Sequence, residues 1–164
     1  MPVYQMRQKL ISFGDDYTVR DESGRQAYYV DGKVFSLRST LILQDMAGRE
    51  LARIQKKILA WGPTYEIYRG DRVAAVVKKS LFTLFRCEFT VDVPGPDDLL
   101  AEGNFWDYEY AFTCQGRSVA RVSKRFFALT DVYGIDIAPG VDEVLVIAAA
   151  VVIDQCCHEK KESK

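Results

Sequence analysis

The sequence predicts an all-β chain with one helix: a closed antiparallel barrel of about twelve short strands around a buried C-terminal helix. Three observations predict it. A passage recurs along the chain, as GRELARIQKKIL from Gly48, GDRVAAVVKKSL from Gly70 and GRSVARVSKRFF from Gly116. Each copy is followed by a run rich in aromatic and β-branched residues. The chain then ends on a long apolar stretch, Val141 to Ile153, bracketed by Asp142, Glu143 and Asp154.

The elements follow in order. An opening hairpin is expected from Gln8 to Ser12 and from Asp16 to Asp21. GRQAYYVDGKVF from Gly24 is a fainter copy of the repeat, keeping the glycine, the valine phase and Lys33. In the full copies the glycine and its polar neighbours make a tight turn, as at Asp45-Met46-Ala47-Gly48, Arg69-Gly70-Asp71 and Gln115-Gly116-Arg117. Alternating strands follow at Leu51–Lys57 and Val73–Lys79, and return strands at Thr64–Arg69, Phe85–Val93, Glu109–Cys114 and Val132–Ile137. DDLLAEGNFW from Asp97 keeps Leu100 and Ala101 but loses the basic pair. Gly62-Pro63 and Pro94-Gly95-Pro96 are turn signals. Repeats of this kind reuse one supersecondary unit, so equivalent side chains return to equivalent places.

The apolar C-terminal run is shorter than the roughly 20 residues that span a bilayer. Apolar on all sides, it reads as a helix buried in protein, and a sheet closed around it supplies partners on every side. The alanines agree. Ala52 with Ile54, Ala74 with Val76, and Ala120 with Val122 are expected to face inward and leave room for the helix, which carries its own Ala148-Ala149-Ala150. Val144, Leu145, Ile147, Val151 and Val152 are expected to be buried although they cover every side of the helix. Residues 1–155 form a single domain with its central helix at 141–154, and residues 156–164 form a polar tail.

Composition narrows the function classes. A chain of 164 residues can bury a core without disulfide or metal staples. A formal net charge of −1 argues against wholesale nucleic-acid binding, and no nucleic acid partner is expected. The N-terminus lacks the apolar core of a signal peptide, and Cys87, Cys114, Cys156 and Cys157 have no framework spacing. Reduced thiols in a cytoplasmic protein are the expectation. The sole histidine, His158, lies in the expected tail, and the adjacent Cys156-Cys157-His158 does not make a tetrahedral metal site easily. Asp15-Asp16, Asp97-Asp98 and Asp142-Glu143 read as turn and helix-start carboxylates. No phosphate loop, dinucleotide fingerprint or catalytic constellation is present. The expectation is a non-enzymatic protein with no cofactor and no metal.

The basic pairs stand apart because of their placement. In an antiparallel barrel a two-strand repeat returns equivalent positions to one rim. Lys56-Lys57, Lys78-Lys79 and Lys124-Arg125 are expected at one mouth, with Lys33 toward the same rim. The glycine turns with Asp45, Asp71 and Asp97 are expected at the other. The helix enters at the turn rim after Pro139-Gly140 and ends at the basic rim. Two readings stand. In one, Lys56, Lys78 and Lys124 partner Asp154 and the helix C-terminal carbonyls, while Lys57, Lys79 and Arg125 are solvated strand ends that discourage edge pairing. In the other, the six form a cationic mouth for anionic lipid headgroups.

The repeated GRELARIQKK-type hairpins, the aromatic return strands such as TYEIYRG from Thr64, and the ending VDEVLVIAAAVVIDQ from Val141 resemble the LURP-one-related family, within the Tubby C-terminal-like superfamily that also holds the phospholipid scramblases. The resemblance covers nearly the whole chain. It implies a twelve-stranded barrel around a central helix. It also implies a phosphoinositide or other membrane-lipid ligand, since Tubby domains bind phosphoinositide headgroups and scramblases act at membranes. No Tubby lipid-binding motif matches here residue by residue. The expected role is a docking module, peripheral at a membrane. The alternative is an intracellular protein-interaction scaffold using aromatics around Phe105-Trp106 or Phe126-Phe127, with a protein as partner.

Overall fold

The computed structural model describes residues 3–8, 17–21, 23–33, 40–57, 64–81, 87–123 and 132–158. They form twelve strands and one helix: β1 (Val3–Gln8), β2 (Tyr17–Arg20), β3 (Gln26–Lys33), β4 (Thr40–Asp45), β5 (Glu50–Lys57), β6 (Thr64–Arg69), β7 (Arg72–Leu81), β8 (Cys87–Asp92), β9 (Leu99–Asn104), β10 (Glu109–Cys114), β11 (Arg117–Ser123), β12 (Val132–Ile137) and α1 (Glu143–His158). All ladders are antiparallel, and all but one join sequence neighbours. β1 pairs with β2 on one side and with β12 on the other, so the strand order returns to its start as a closed barrel.

The first strand lies earlier than expected. Its ladder partner is β12, with Val3 opposite Asp136 and Arg7 opposite Val132, so pairing occupies the segment before Gln8. Residues 9–12 of the expected strand lie outside the described residues. Of the expected Phe85–Val93 strand, Cys87–Asp92 is observed, and Phe85 and Arg86 lie outside the described residues.

Alternation fills the interior. Tyr17, Val19, Val30, Leu41, Leu43, Ala52, Ile54, Ile67, Phe89, Val91, Phe112, Val122, Ile135 and Ile137 are all buried in one cluster with the helix. Within α1, every residue from Val146 to Ile153 is almost wholly buried. Ile147, Val151 and Val152 are buried as expected, whereas Val144 and Leu145 in the first turn are only half-buried. A fully buried branched aliphatic side chain contributes roughly 1.5–3 kcal/mol. The helix carries five of them (Val146, Ile147, Val151, Val152, Ile153). It packs closest to β5, β7 and β12, where Ala52 and Ala75 let it approach.

Asp142 starts the helix. Its Oδ1 accepts from the backbone N–H of Leu145 at 3.3 Å, and its carboxylate takes both Arg69 guanidinium nitrogens at 2.7 Å. Arg69 ends β6 beside the Gly70 turn, so the helix enters at the turn rim. It continues past Asp154 to His158 instead of giving way to a tail at Cys156, because Cys157 is still buried and Cys156 half-buried against the core.

The turns explain the repeat. Asp21 and Asp45 occupy the same place in the β2–β3 and β4–β5 hairpins. Each Oδ1 accepts two backbone N–H bonds, from Ser23 and Arg25 or from Ala47 and Arg49. The backbone N–H of Arg49, ahead of its guanidinium, holds the Asp45 carboxyl below the usual carboxylate range. Two residues on, each hairpin gains a bulge. Ala27, Leu51, Ala74 and Val119 have no residue opposite them in the preceding strand. A bulge at the same repeat position strengthens the local twist, which a closed sheet requires.

One expected phase is wrong. Ala52 with Ile54 and Ala120 with Val122 face inward, but in β7 the buried pair is Ala75 with Val77, and Ala74 and Val76 are half-buried. The turn is the reason. Gln115-Gly116 separates the paired Cys114 and Arg117, with glycine second, whereas Gly70-Asp71 separates the paired Arg69 and Arg72, with glycine first. Counting from the glycine therefore misplaces every side chain of β7 by one.

Candidate functional site

The strands that carry the lysines end at the rim opposite the helix entrance. Lys57 lies opposite Thr64, and Thr64 opposite Lys78, so the two lysines sit on the same outer face of β5 and β7 with one strand between them. Both are exposed. The Lys57 ammonium is 3.8 Å from the largely covered Glu66, and that of Lys78 is 3.7 Å from Asp92, a pair open to solvent and worth about 0–1 kcal/mol.

Lys56 and Lys79 are half-buried on the opposite face. Lys56 lies opposite the buried Tyr65, its ammonium 6.0 Å from the ring centroid, and Lys79 lies opposite the buried Phe89. The inward lysines are thus Lys56 and Lys79, and the outward ones Lys57 and Lys78. The expected assignment of Lys78 as inward and Lys79 as outward is corrected, because the glycine of the β6–β7 turn is displaced by one position. Lys33 ends β3 at this rim. Lys124 and Arg125 lie outside the described residues, as do Phe126 and Phe127.

Beneath the rim is a polar cluster around the helix C-terminus. Asp154 is buried and accepts hydrogen bonds from the hydroxyls of Tyr17 and Tyr108, the latter at 2.9 Å. Gln155, also buried, donates to the Tyr17 hydroxyl oxygen at 3.0 Å. Lys78 pairs with Asp92 outside the barrel, so it does not take the expected place beside Asp154. Tyrosine hydroxyls reach the carboxylate from β2 and from the β9–β10 turn.

Burial, followed by the Asp154 charge, pushes the Tyr108 hydroxyl well above its usual titration range. Tyr110, wholly buried beside it, is raised for the same two reasons in the same order. Both phenols therefore stay protonated, and Tyr108 remains a donor to Asp154. Neither tyrosine partner of Asp154 was expected. The available signal was a carboxylate closing an apolar run, which cannot be buried without donors.

The β9–β10 turn is held from inside. Phe105 is buried, with its ring centroid 4.9 Å from those of Phe89 and Tyr110. Tyr108 has φ +54°, in the left-handed region. Asn104 and Asp107 bond each other twice, side chain to side chain at 2.8 Å and Asp107 N–H to Asn104 Oδ1 at 3.2 Å. Trp106, between them, is 62 % exposed.

Among the described residues, no group of three His, Cys, Asp or Glu side chains could hold a metal ion. Among the same residues, no helix is long and apolar enough to cross a membrane. Cys114, half-buried at the end of β10, is a free thiol.

Comparison with known proteins gives three findings. The family model described as LURP-one-related matches residues 3–154. The uncharacterized protein YxjI of Bacillus subtilis (strain 168) is 27 % identical over 157 residues, covering 96 % of this chain and 94 % of that one. The X-ray structure of a protein from Arabidopsis thaliana superposes with a TM-score of 0.71 at 15 % identity, covering 94 % of this chain and 90 % of that one, a likeness of fold alone.

Proposed function

This chain belongs to the LURP-one-related family, and on that premise we propose that it is a non-enzymatic docking module, a Tubby C-terminal-like barrel whose lysine rim receives the anionic headgroup of a membrane lipid, a phosphoinositide first. In this reading the protein is cytoplasmic and peripheral at the membrane. The observation that carries the reading is the cross-strand register Lys57–Thr64–Lys78, which holds two exposed ammonium groups on one outer face, with Lys56 and Lys79 adjacent in their strands. The acidic neighbours do not cancel it. Both ammonium groups are about half-exposed and their ion pairs are long, so a multiply charged phosphate competes well for them. Lys124 and Arg125, which follow Ser123 in the sequence, lie outside the described residues and add nothing to this argument.

The test is vesicle co-sedimentation at low and high salt, with and without acidic lipid. Each basic residue near an acidic bilayer contributes about 1 kcal/mol. Lys57→Gln with Lys78→Gln is expected to weaken binding by roughly 30-fold, equivalent to about 2 kcal/mol. Folding stability should barely change, since both side chains are exposed. Wild-type protein that ignores acidic vesicles at low salt, or a double variant that binds undiminished, refutes the proposal and leaves the protein-scaffold reading.

A further inference from the structure

We infer that Trp106 is the residue by which this rim enters the headgroup region of a bilayer, so that the docking partner is a lipid surface and not a soluble polyphosphate. The inference rests on the docking reading above and deepens it.

Trp106, Met46 and Val73 are the exposed large hydrophobic side chains among the described residues. Met46 lies in the β4–β5 turn and Val73 at the start of β7, both at the end where the helix enters. Trp106 lies in the turn after β9. In an antiparallel ladder β5, β7 and β9 all run the same way, so this turn opens on the rim where Lys57 and Lys79 end their repeats.

The turn is built to hold an indole outward. Phe105 before it is sunk against Phe89 and Tyr110, and Tyr108 after it is tied by its hydroxyl to Asp154 of the helix. The backbone between them is fixed by the Asn104–Asp107 bonds and by the left-handed Tyr108. A non-glycine residue at positive φ persists only where its surroundings enforce it. What that enforcement achieves here is an exposed tryptophan on a rigid base, which loses little conformational entropy when it inserts.

The surrounding charge sharpens the argument. Glu102 and Asp107 are exposed on the same hairpin, so the hairpin adds no electrostatic attraction for an acidic lipid. Its contribution is the indole, whose apolar body and N–H suit the boundary between headgroups and acyl chains. A soluble inositol phosphate satisfies the lysines and offers the indole nothing.

The experiment uses the full chain, with vesicles of phosphatidylcholine containing phosphatidylserine and phosphatidylinositol 4,5-bisphosphate, and with inositol hexakisphosphate as the soluble control. The emission of Trp106 is read as the difference between wild type and Trp106→Phe, which leaves Trp61 untouched. Vesicles are expected to shift that difference emission to the blue, and brominated acyl chains to quench it. Inositol hexakisphosphate should do neither. Trp106→Ala is expected to lose about tenfold in vesicle affinity, the equivalent of about 1.4 kcal/mol, with an unchanged urea midpoint and unchanged inositol hexakisphosphate binding. Vesicle binding without an emission change, or undiminished binding by Trp106→Ala, overturns the inference while the lysine docking stands. Absence of wild-type binding to acidic vesicles overturns both.

Discussion

Replacing Gly103 by alanine isolates a close backbone approach in the barrel wall. Gly103 lies opposite Tyr110 in the β9–β10 ladder, with φ +140°. A Cβ there would stand 2.6 Å from the Glu109 carbonyl oxygen, 2.7 Å from Tyr110 Cα and 2.8 Å from Tyr110 Cβ. Two of these neighbours are backbone atoms, and the third is the Cβ of a residue packed against Phe105 and Phe112, so relief by side-chain rotation is closed off. The backbone conformation costs an L-residue about 1–3 kcal/mol, and forcing a methyl into packed surroundings costs about 1–3 kcal/mol more. The sum, about 2–6 kcal/mol, is a large part of a typical stability of about 5–15 kcal/mol. With a urea m-value near 2 kcal/mol/M, a loss of about 4 kcal/mol lowers the midpoint by about 2 M. Gly48→Ala is the control. Gly48 has φ +84° but nothing within 4 Å of its virtual Cβ, so it bears only the backbone cost, about 1–2 kcal/mol. The measurement is paired urea unfolding with m held constant. Equal losses in the two variants would show that the contact with Tyr110 adds nothing and would sink the packing argument.

Two further outcomes are expected, besides those given for the lysine pair and Trp106. Ala149→Asp puts a carboxyl where no surface reaches solvent, and an unbonded polar group there costs about 2–7 kcal/mol even when neutral, so soluble folded protein should be lost. A wild-type melting curve for this variant would mean that the helix is not central. Tyr108 carries a raised pKa in the folded state, so its contribution is complete below the ordinary tyrosine value of 10.0 and falls away as pH rises above it, where the unfolded phenol ionises and the folded one does not. Urea midpoints should therefore drop above pH 10 in wild type and drop less steeply in Tyr108→Phe, while that variant starts lower at pH 7 for want of its bond to Asp154. Parallel pH profiles would contradict the assignment.

Much of the fold was legible because period and composition carry it. Return strands Thr64–Arg69, Glu109–Cys114 and Val132–Ile137 occur with the expected limits, since aromatic and β-branched alternation between turn residues leaves little choice. The buried helix was legible from an apolar run that offers no polar face. The lysine rim was legible in part. Lys56 and Lys57 keep their expected phases, but Lys78 and Lys79 exchange theirs, and the carboxylate at the helix end is met by Tyr17 and Tyr108.

By itself, then, the sequence determined the antiparallel strands, the single terminal helix, the end at which that helix enters, and membership of the family, because each rests on local pattern repeated many times. The tertiary structure alone decided which lysine of a pair faces outward and what partners Asp154. Strand phase has a period of two, so a glycine in the first place of the Gly70-Asp71 turn, where Gln115-Gly116 has it second, inverts every side chain after it without disturbing composition or spacing. The donors to a buried carboxylate come from whatever lies nearest in space. Two of them here are 137 and 46 positions away along the chain, a separation no local pattern encodes.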